Sequence, residues 1–293
     1  MNEPMATFAS SNDRQRPAVF AALRSVQVLT LLLLVIAGLG PLYWTIKGAV
    51  SPPPELLSNP LRLWPAEPEP GNFASAFTEL GVGRYLSNTM QIVFGSWAVQ
   101  LFVALTAGFA FSVLKPRIGR YVYGAILATM FVPYTVSLVS LFLTVLHVPF
   151  LGVNLLDTYW AIWLPAGANA FNVLLATRFF DALPRELFDA AKVDGASTWQ
   201  LLTRIVLPMS RPVIAVISLL AVMHSWKEFI WPLVVITDPA RQPISVALVN
   251  LADQAPLDEL IAAMAMALAP PVLVFLVLQR YVVAGLGFSG VKG

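Results

Sequence analysis

The chain has 293 residues, of which 58% are hydrophobic and only 12% charged, and its mean hydropathy is +0.74. Soluble domains carry about 25% charged residues and disordered chains are poor in apolar ones, so both classes are excluded. The net charge of +2 gives no reason to expect a nucleic-acid partner, and the lack of cysteine excludes disulfides and zinc–thiolate sites. The composition therefore predicts an integral protein of the lipid bilayer.

Six stretches are apolar and long enough to cross a bilayer, which takes about 20 residues as a helix. In chain order they cover residues 26–46, 88–114, 121–146, 159–177, 212–236 and 260–283. The first apolar run is longer than the roughly 7–15 residues of a signal-peptide core, so we expect it to be retained. The predicted fold class is all-α, with six transmembrane helices.

The distribution of Lys and Arg predicts the orientation, because these residues accumulate in cytoplasmic loops. With the N-terminus inside, 13 of the 18 Lys and Arg residues lie in cytoplasmic segments or, in the case of Arg280, at the cytoplasmic end of a span. Four lie outside, and Lys227 lies further within a span. Both termini are therefore expected in the cytoplasm. This divides the chain into a cytoplasmic N-terminal segment (1–25), a six-span domain (26–283) and a cytoplasmic C-terminal tail (284–293).

The long outside loop, residues 48–85, contains seven prolines between Pro52 and Pro70. Proline removes a backbone donor and stiffens the chain, so residues 52–70 are expected to be non-helical.

The long inside segment, residues 178–211, has helix signals instead. Pro184 suits a first helical position, Asp194-Gly195 is typical of a turn, and residues 197–200 match a capping box that leads into an apolar run. The pattern predicts two short helices around a tight bend at the cytoplasmic face.

Patterns for catalysis and for nucleotide binding are absent from the sequence. The phosphate-loop pattern fails because Ala125 and Ile126 stand where Lys and Ser/Thr must bind phosphate and metal. The two histidines, His147 and His224, cannot form an H-E-x-x-H zinc site, and there is no G-x-S-x-G elbow. His224 is expected to be a satisfied polar group inside the helix bundle, and the chain is not expected to be an enzyme.

Residues 189–208 resemble the EAA motif of the permeases of ABC importers. That motif has Glu-Ala-Ala, three residues, Gly, nine residues and then Ile-x-Leu-Pro. Here Asp189-Ala190-Ala191 is followed at this spacing by Gly195 and by Ile205-Val-Leu-Pro208. Asp189 departs from the family's Glu, which keeps the charge but shortens its reach.

Further stretches extend the resemblance over nearly the whole chain, at residues 151–158, 179–187 and 279–293. They are similar to the carbohydrate-uptake branch of the family, and within it to the MalG type of inner-membrane subunit. The resemblance implies a multi-pass subunit of a bacterial cell membrane that forms half of a translocation pore. It implies as partners a second permease subunit, two copies of an ABC ATPase that bind ATP and magnesium, and an extracytoplasmic solute-binding protein, with no cofactor on this chain.

The resemblance also assigns residues 178–211 to coupling with the ATPase. A short helix that bends back at a glycine suits a groove on a partner, since alanines allow close approach and carboxylates can pair with Arg or Lys. A side chain at the glycine is expected to clash. The residues expected to make this contact are Glu186, Asp189, Ala190, Ala191, Asp194, Gly195 and Ala196.

Polar residues within spans usually face a cavity or a partner helix. Amides and carboxylates beside flat aromatic faces suit a sugar. The candidates for the substrate pathway are Asn88, Asn169, Asn172, Trp226, Lys227, Glu228 and Phe229, with Gln100 among the other span amides.

Lys227 leaves two interpretations open. In the functional interpretation, Lys227 contacts either a charged or phosphorylated solute or a carboxylate of the second permease. In the structural interpretation, its long stem extends to the lipid headgroups. Accordingly, a polyol or a solute of the glycerol-phosphate type is the alternative to a sugar or oligosaccharide. A stand-alone ion-coupled secondary transporter is the alternative of another class; it would need intramembrane carboxylates, and only Glu228 qualifies.

Overall fold

The structure, a computed structural model, describes residues 17–287, and every regular element in this range is helical. The helices are α1 (Pro17–Ala49), α2 (Pro53–Ser58), α3 (Gly71–Thr78), α4 (Val82–Phe109), α5 (Gly119–Ala128), α6 (Tyr134–Leu146), α7 (Trp160–Ala166), α8 (Ala170–Asp181), α9 (Arg185–Val193), α10 (Thr198–Gln200), α11 (Leu207–Met209), α12 (Arg211–Lys227), α13 (Ile230–Val235), α14 (Ile244–Leu251) and α15 (Leu257–Gly287). A π-helical segment, Ala110–Leu114, continues α4, and another, Leu201–Val206, joins α10 to α11.

Within residues 17–287, three helices are each long and apolar enough to cross a membrane. They are α1 over Ala21–Ala49, α4 with its π-helical extension over Val82–Leu114, and α15 over Leu257–Val277. They correspond to the first, second and sixth spans expected from the sequence. Side chains of α1 are exposed over most of its length, up to the buried residues Lys47–Ala49 at its end, so this helix presents apolar surface to the bilayer or to another chain.

The third, fourth and fifth predicted spans are interrupted, so the expectation of continuous helices is wrong for them. In the third span the chain bends by 114° before α6, at Pro133, whose ring removes a backbone donor. Residues 167–169 separate α7 from α8, and Glu228 and Phe229 separate α12 from α13. A second sharp bend, of 81°, separates Thr198–Met209 from α12. If each of these two sharply bent helix pairs counts as one span, the described residues hold up to five candidate spans.

The proline-rich outside loop contains a helix, so the expectation of a non-helical stretch is wrong for residues 53–58. α2 starts directly after Pro52, with prolines in its first turn. The first N–H groups of a helix have no intrahelical partner, and proline is therefore tolerated there. Later in the same loop, Nδ2 of Asn72 donates to the backbone oxygen of Ala49 at 3.3 Å and ties α3 to the end of α1.

The start of α4 is hydrogen-bonded to a loop that the predicted topology places on the same outer side. Nδ2 of Asn88, near the start of α4, donates to the backbone oxygens of Ala240 and Gln242 at 2.9 and 3.0 Å. Both of these oxygens lie in the loop between α13 and α14. The start of the second span is thereby fixed to the loop after the fifth.

Asp157, in the loop between α6 and α7, is hydrogen-bonded to the same loop between α13 and α14. Its carboxylate accepts hydrogen bonds from the backbone N–H groups of Asp238 at 2.9 Å and Thr237 at 2.6 Å, and from the Thr237 hydroxyl at 2.8 Å. The Arg241 guanidinium donates to the Asp157 backbone oxygen at 2.6 Å. The hydrogen bonds from Asp238 and Thr237, with the nearby Arg241 charge, hold the pKa of Asp157 below its ordinary value of 3.8.

The lowered pKa predicts an acid-sensitive contact. A carboxylate whose pKa is lower in the folded state stabilises the fold above its unfolded pKa and loses that contribution as the pH falls through the folded value. We expect Asp157→Asn to lower the melting temperature at pH 7, and the difference from wild type to shrink as the pH falls below about 3.8 toward the lower folded pKa. Melting curves of the purified protein between pH 7 and 3 measure this. Asp253→Asn, an exposed carboxylate of another outer loop, is the control; an equal effect there would contradict the assignment.

α4 lies at the centre of the fold and packs closely on α7 and α8. A Cβ added at Gly95 would overlap the Trp163 ring at 2.1 Å, and one added at Gly108 would lie 2.7 Å from Cβ of Ala176 and 3.1 Å from the backbone nitrogen of Thr177. Small residues at such crossings let helix backbones approach within a bilayer. These two glycines therefore determine how close α4 lies to its neighbours.

Gly108→Ala should destabilise the bundle, because Ala176 and a backbone atom of Thr177 stand where the new methyl group would lie. Overpacking of a tight contact typically costs about 1–3 kcal/mol. Thermal unfolding in detergent is the measurement. Gly124→Ala is the matched control, since no atom lies within 4 Å of the added methyl group; a loss of stability there as large as at Gly108 would contradict the packing explanation.

Candidate substrate cavity and coupling segment

The break between α12 and α13 is organised by Glu228. Its Oε1 accepts a hydrogen bond from the backbone N–H of Trp231 at 3.2 Å, which caps the first turn of α13. Its Oε2 lies 3.9 Å from Nε2 of His224, one turn earlier on α12. The carboxyl group therefore holds together the two halves of the interrupted fifth span.

This break opens onto a cavity of about 200 Å³. Its walls come from α4, α6, α7 and the residues that follow α7, and from α12 and α13. The lining residues are Ile92, Ser96, Gln100, Tyr134, Leu141, Ile162, Pro165, Ala166, Ala168, Asn169, His224, Ser225, Glu228, Trp231 and Pro232. Among these residues there is one carboxylate and no Lys or Arg.

Buried amides form the deep side of the cavity. Oε1 of Gln100 accepts a hydrogen bond from Nδ2 of Asn172 at 3.0 Å, and both side chains are almost fully buried. Oδ1 of Asn169 accepts from the backbone N–H of Asn172 at 3.0 Å and caps α8. The Ser96 hydroxyl is buried without a hydrogen-bond partner. The cavity thus offers amide, hydroxyl and carboxyl groups beside the Trp231 ring.

The structure brings two of the seven pathway candidates, Asn169 and Glu228, to the cavity wall. Asn172 lies behind the wall, where it orients Gln100. The other four candidates lie elsewhere. Asn88 fixes an outer loop, Trp226 is buried in a core cluster, Lys227 is exposed outside the lining, and Phe229 precedes α13 half-buried.

The sequence predictions missed several lining residues, among them Ser96, and assigned His224 to the interior of the helix bundle. His224 is 64% exposed at its side chain and lines the cavity, so the expectation of a satisfied group inside the bundle is wrong. A signal for them exists: Ser96 with Gln100, and His224 with Glu228, are each four residues apart. This spacing places two polar groups on one face of a helix.

Residues 178–211, called here the coupling segment after their expected role, form a helix and a tight turn, as the sequence predicts. α9 starts one residue after Pro184 and ends in a turn at Gly195, which has a φ of +78°. The N–H groups of Gly195 and Ala196 donate to the oxygens of Lys192 and Ala191 at 3.0 and 2.9 Å, which is the pattern of a Schellman motif. The expected capping box is confirmed between Ser197 and Gln200.

At Gly195 the requirement for glycine comes from the backbone. A Cβ added there meets no atom of this chain within 4 Å, whereas the positive φ is unfavourable for most side chains. The turn leaves the carboxylates exposed and turns two alanines inward. Glu186, Asp189, Ala190 and Asp194 are exposed, and Ala191 and Ala196 are half-buried.

A core cluster connects the coupling segment to the spans. Phe188 of α9 is 2% exposed and packs with Phe180 of α8 and Phe109 of α4. Leu202 and Val206, from the π-helical segment after α10, belong to the same cluster. On the surface that faces away from this cluster, the segment presents apolar side chains to solvent: Val193 is 88% exposed and Trp199 is 67% exposed. An exposed apolar surface next to carboxylates is typical of an interaction site.

Several apolar helices, a polar cavity at helix breaks and an exposed helix–turn at one end define a membrane-embedded transport subunit rather than an enzyme. The chain belongs to the family of inner membrane components of binding-protein-dependent transport systems, whose sequence profile matches residues 100–287.

Named relatives match the chain over most of its length. It is 30% identical to the arabinooligosaccharides transport system permease protein AraQ of Halalkalibacterium halodurans, over 86% of this chain and 91% of the relative. It is 28% identical to the lactose transport system permease protein LacG of Rhizobium radiobacter, over 89% and 94%. It is 26% identical to the sn-glycerol-3-phosphate transport system permease protein UgpE of Agrobacterium fabrum, over 90% and 95%.

The fold is also found in a solved structure. A chain from the crystal structure of a bacterial ABC transporter involved in the import of the acidic polysaccharide alginate superimposes with a TM-score of 0.80 at 22% identity, covering 94% of this chain and 99% of that one. The shared fold extends over the whole length of that chain. A stand-alone ion-coupled transporter is excluded by membership of the family of binding-protein-dependent systems.

Proposed function

We propose that the chain is one of two permease subunits of an ATP-driven importer and forms half of a pore for a neutral sugar or oligosaccharide. The observation that carries this proposal is the cavity at the break of the fifth span. Sugars are recognised by amide, hydroxyl and carboxyl groups together with aromatic faces, and Gln100, Asn169, Glu228 and Trp231 supply these groups. The relatives named for arabinooligosaccharides and lactose support the same class.

A glycerol-phosphate-type solute is the second candidate, because relatives named for sn-glycerol 3-phosphate also match the chain. The charge of the cavity favours the neutral solute. Its lining contains Glu228 and no Lys or Arg, while Lys227 is exposed outside it. A phosphate would therefore meet a carboxylate and no Lys or Arg side chain in this cavity.

The proposed topology has six spans with both termini in the cytoplasm. Segments 1–25 and 284–293 would be cytoplasmic, and the six-span domain, 26–283, would include three interrupted helices. Interrupted helices are tolerated within a bilayer where they border a cavity or other protein. Asn88, near the start of α4, and Asp157 are both hydrogen-bonded to the loop between α13 and α14. These contacts support the arrangement, since the proposed topology places all three segments on one side.

The proposed partners follow from the exposed turn around Gly195. Residues 178–211 would sit in a groove of an ABC ATPase, present in two copies, that binds ATP and magnesium. A second permease would complete the pore and an extracytoplasmic binding protein would deliver the solute. The complex would reside in a bacterial cell membrane. The exposed carboxylates and apolar side chains of this segment support a contact with another chain.

Purification of the tagged chain from its native membrane tests the proposal. An ATPase and a second permease should co-purify in amounts that fit one permease pair and two ATPases. Reconstituted vesicles should import a radiolabelled neutral sugar only with ATP inside and the binding protein outside. Uptake by this chain alone under a proton gradient would overturn the proposal.

A further inference from the structure

The coupling segment is attached to the spans by a contact of three residues, Ser112, Asp181 and Arg185. Oδ1 of Asp181 accepts hydrogen bonds from the Ser112 hydroxyl at 2.8 Å and from the Arg185 guanidinium at 3.1 Å. Another guanidinium nitrogen of Arg185 donates to the backbone oxygen of Ser112 at 3.2 Å. The contact thus joins the extension of α4, the last residue of α8 and the first residue of α9.

The end of the α4 extension explains why this contact forms. The extension stops at Lys115, whose φ of 48° is left-handed, and the last carbonyl groups of a helix lack intrahelical partners. Arg185 supplies a donor and a positive charge at this end, where the helix dipole favours a cation. Ser112 itself is fully buried. The α4 terminus is therefore completed by a residue of the coupling segment.

We propose that Asp181 is a positioning residue for energy coupling. Through its contact with Ser112 and Arg185, it makes α9, α4 and α8 move as one unit when the ATPase displaces the coupling segment. This inference rests on the proposed coupling function of residues 178–211. Its consequence for the pore is direct, because α4 carries Gln100 and α8 carries Asn172, the amide pair at the cavity. A movement of α9 is then transmitted to the solute site through α4 and α8.

The contact depends on hydrogen-bond geometry more than on charge. The side chains of Asp181 and Arg185 are 41% and 40% exposed, so solvent screens their attraction. An asparagine at position 181 retains an acceptor oxygen for both donors, whereas a leucine of similar size retains none. The pair of variants Asp181→Asn and Asp181→Leu therefore separates positioning through hydrogen bonds from a requirement for the charge.

The experiment uses the assembled importer in proteoliposomes and measures solute molecules imported per ATP hydrolysed. We expect Asp181→Leu to co-purify normally with the ATPase and to lower this ratio by about tenfold, as loss of a hydrogen bond to a charged group would. Asp181→Asn should stay close to the wild-type ratio. Ser112→Ala, which removes one donor, should lower the ratio less, and adding it to Asp181→Leu should cause little further loss. Arg62→Gln, in an outer-loop ion pair with Glu55, is the control.

An unchanged ratio in Asp181→Leu, or an equal loss in Asp181→Asn, would overturn the inference. If Asp181→Leu fails to assemble, Ser112→Ala decides the question: a lowered ratio supports the contact and an unchanged one overturns it. Failure of the proposed function looks different, because the wild-type chain would then show no ATP-dependent uptake.

Discussion

Replacing Gly195 with aspartate is expected to abolish ATP-driven uptake and to release the ATPase, while the permease still inserts into the membrane. The turn itself should survive. A left-handed conformation costs most residues about 1–2 kcal/mol, and aspartate is among those that adopt it more readily. No atom of this chain lies within 4 Å of the added Cβ, so the new side chain would project outward beside Asp194. Bulk and charge would then enter the contact with the ATPase.

Membrane insertion, co-purification of the ATPase and uptake are measured in parallel for Gly195→Asp. Gly152→Asp is the matched control, since Gly152 also has a positive φ, of 65°, but lies in an outer loop. It adds the same side chain at a similar backbone conformation and should leave ATPase association intact. Normal co-purification and normal uptake with Gly195→Asp would contradict the coupling assignment, and release of the ATPase by Gly152→Asp would point to a general folding defect.

The course of the coupling segment is predictable from sequence because its signals are local. Glycine at a helix end, a serine three residues before a glutamine, and a proline before a helix each act through atoms within a few residues. The structure has the turn at Gly195 and the capping box at Ser197, and α9 starts one residue later than expected from Pro184. The role of Asp181 has no such signal, since its partner Ser112 lies 69 residues away.

The helix breaks are harder to predict, because hydropathy measures how apolar a stretch is and not whether it stays straight. Pro133 coincides with a bend of 114°, yet Pro270 and Pro271 lie inside the continuous helix α15. The difference depends on what surrounds each proline: freed backbone groups need partners or a cavity. Glu228 ends α12 without any proline at the break itself, and its carboxyl group caps the next helix instead.

The same limit explains the pathway candidates. Polarity within a span indicates that a side chain faces protein or a cavity, but it does not say which. Asn88 and Asn169 look alike in sequence, yet Asn88 binds the loop before α14 and Asn169 lines the cavity. Lys227 and Glu228 are adjacent, but α12 ends between them. Lys227 is exposed to solvent, whereas Glu228 lines the cavity.

This separation of neighbouring charges makes Glu228 the most sensitive position of the proposed pathway. Glu228→Ala removes the cap of Trp231 and the only carboxylate among the lining residues. We expect uptake of the neutral sugar to fall roughly 10- to 100-fold, which corresponds to loss of about 1.5–3 kcal/mol from hydrogen bonds to a charged group. Glu228→Gln keeps an acceptor for the Trp231 N–H and should retain most of the uptake. The measurement is the initial rate of ATP-dependent import into proteoliposomes at normal ATPase association.

Lys227→Asn is the matched control, one residue away, and should leave the apparent affinity for the sugar unchanged because Lys227 lies outside the cavity lining. Glu228→Lys adds a second comparison, since it replaces the negative charge of the cavity with a positive one. If the cavity selects by charge, this variant should lose the neutral sugar and gain inhibition by a phosphorylated polyol, an effect that salt weakens. Weakened import with Lys227→Asn and unchanged import with Glu228→Ala would instead favour the phosphorylated solute and contradict the neutral one.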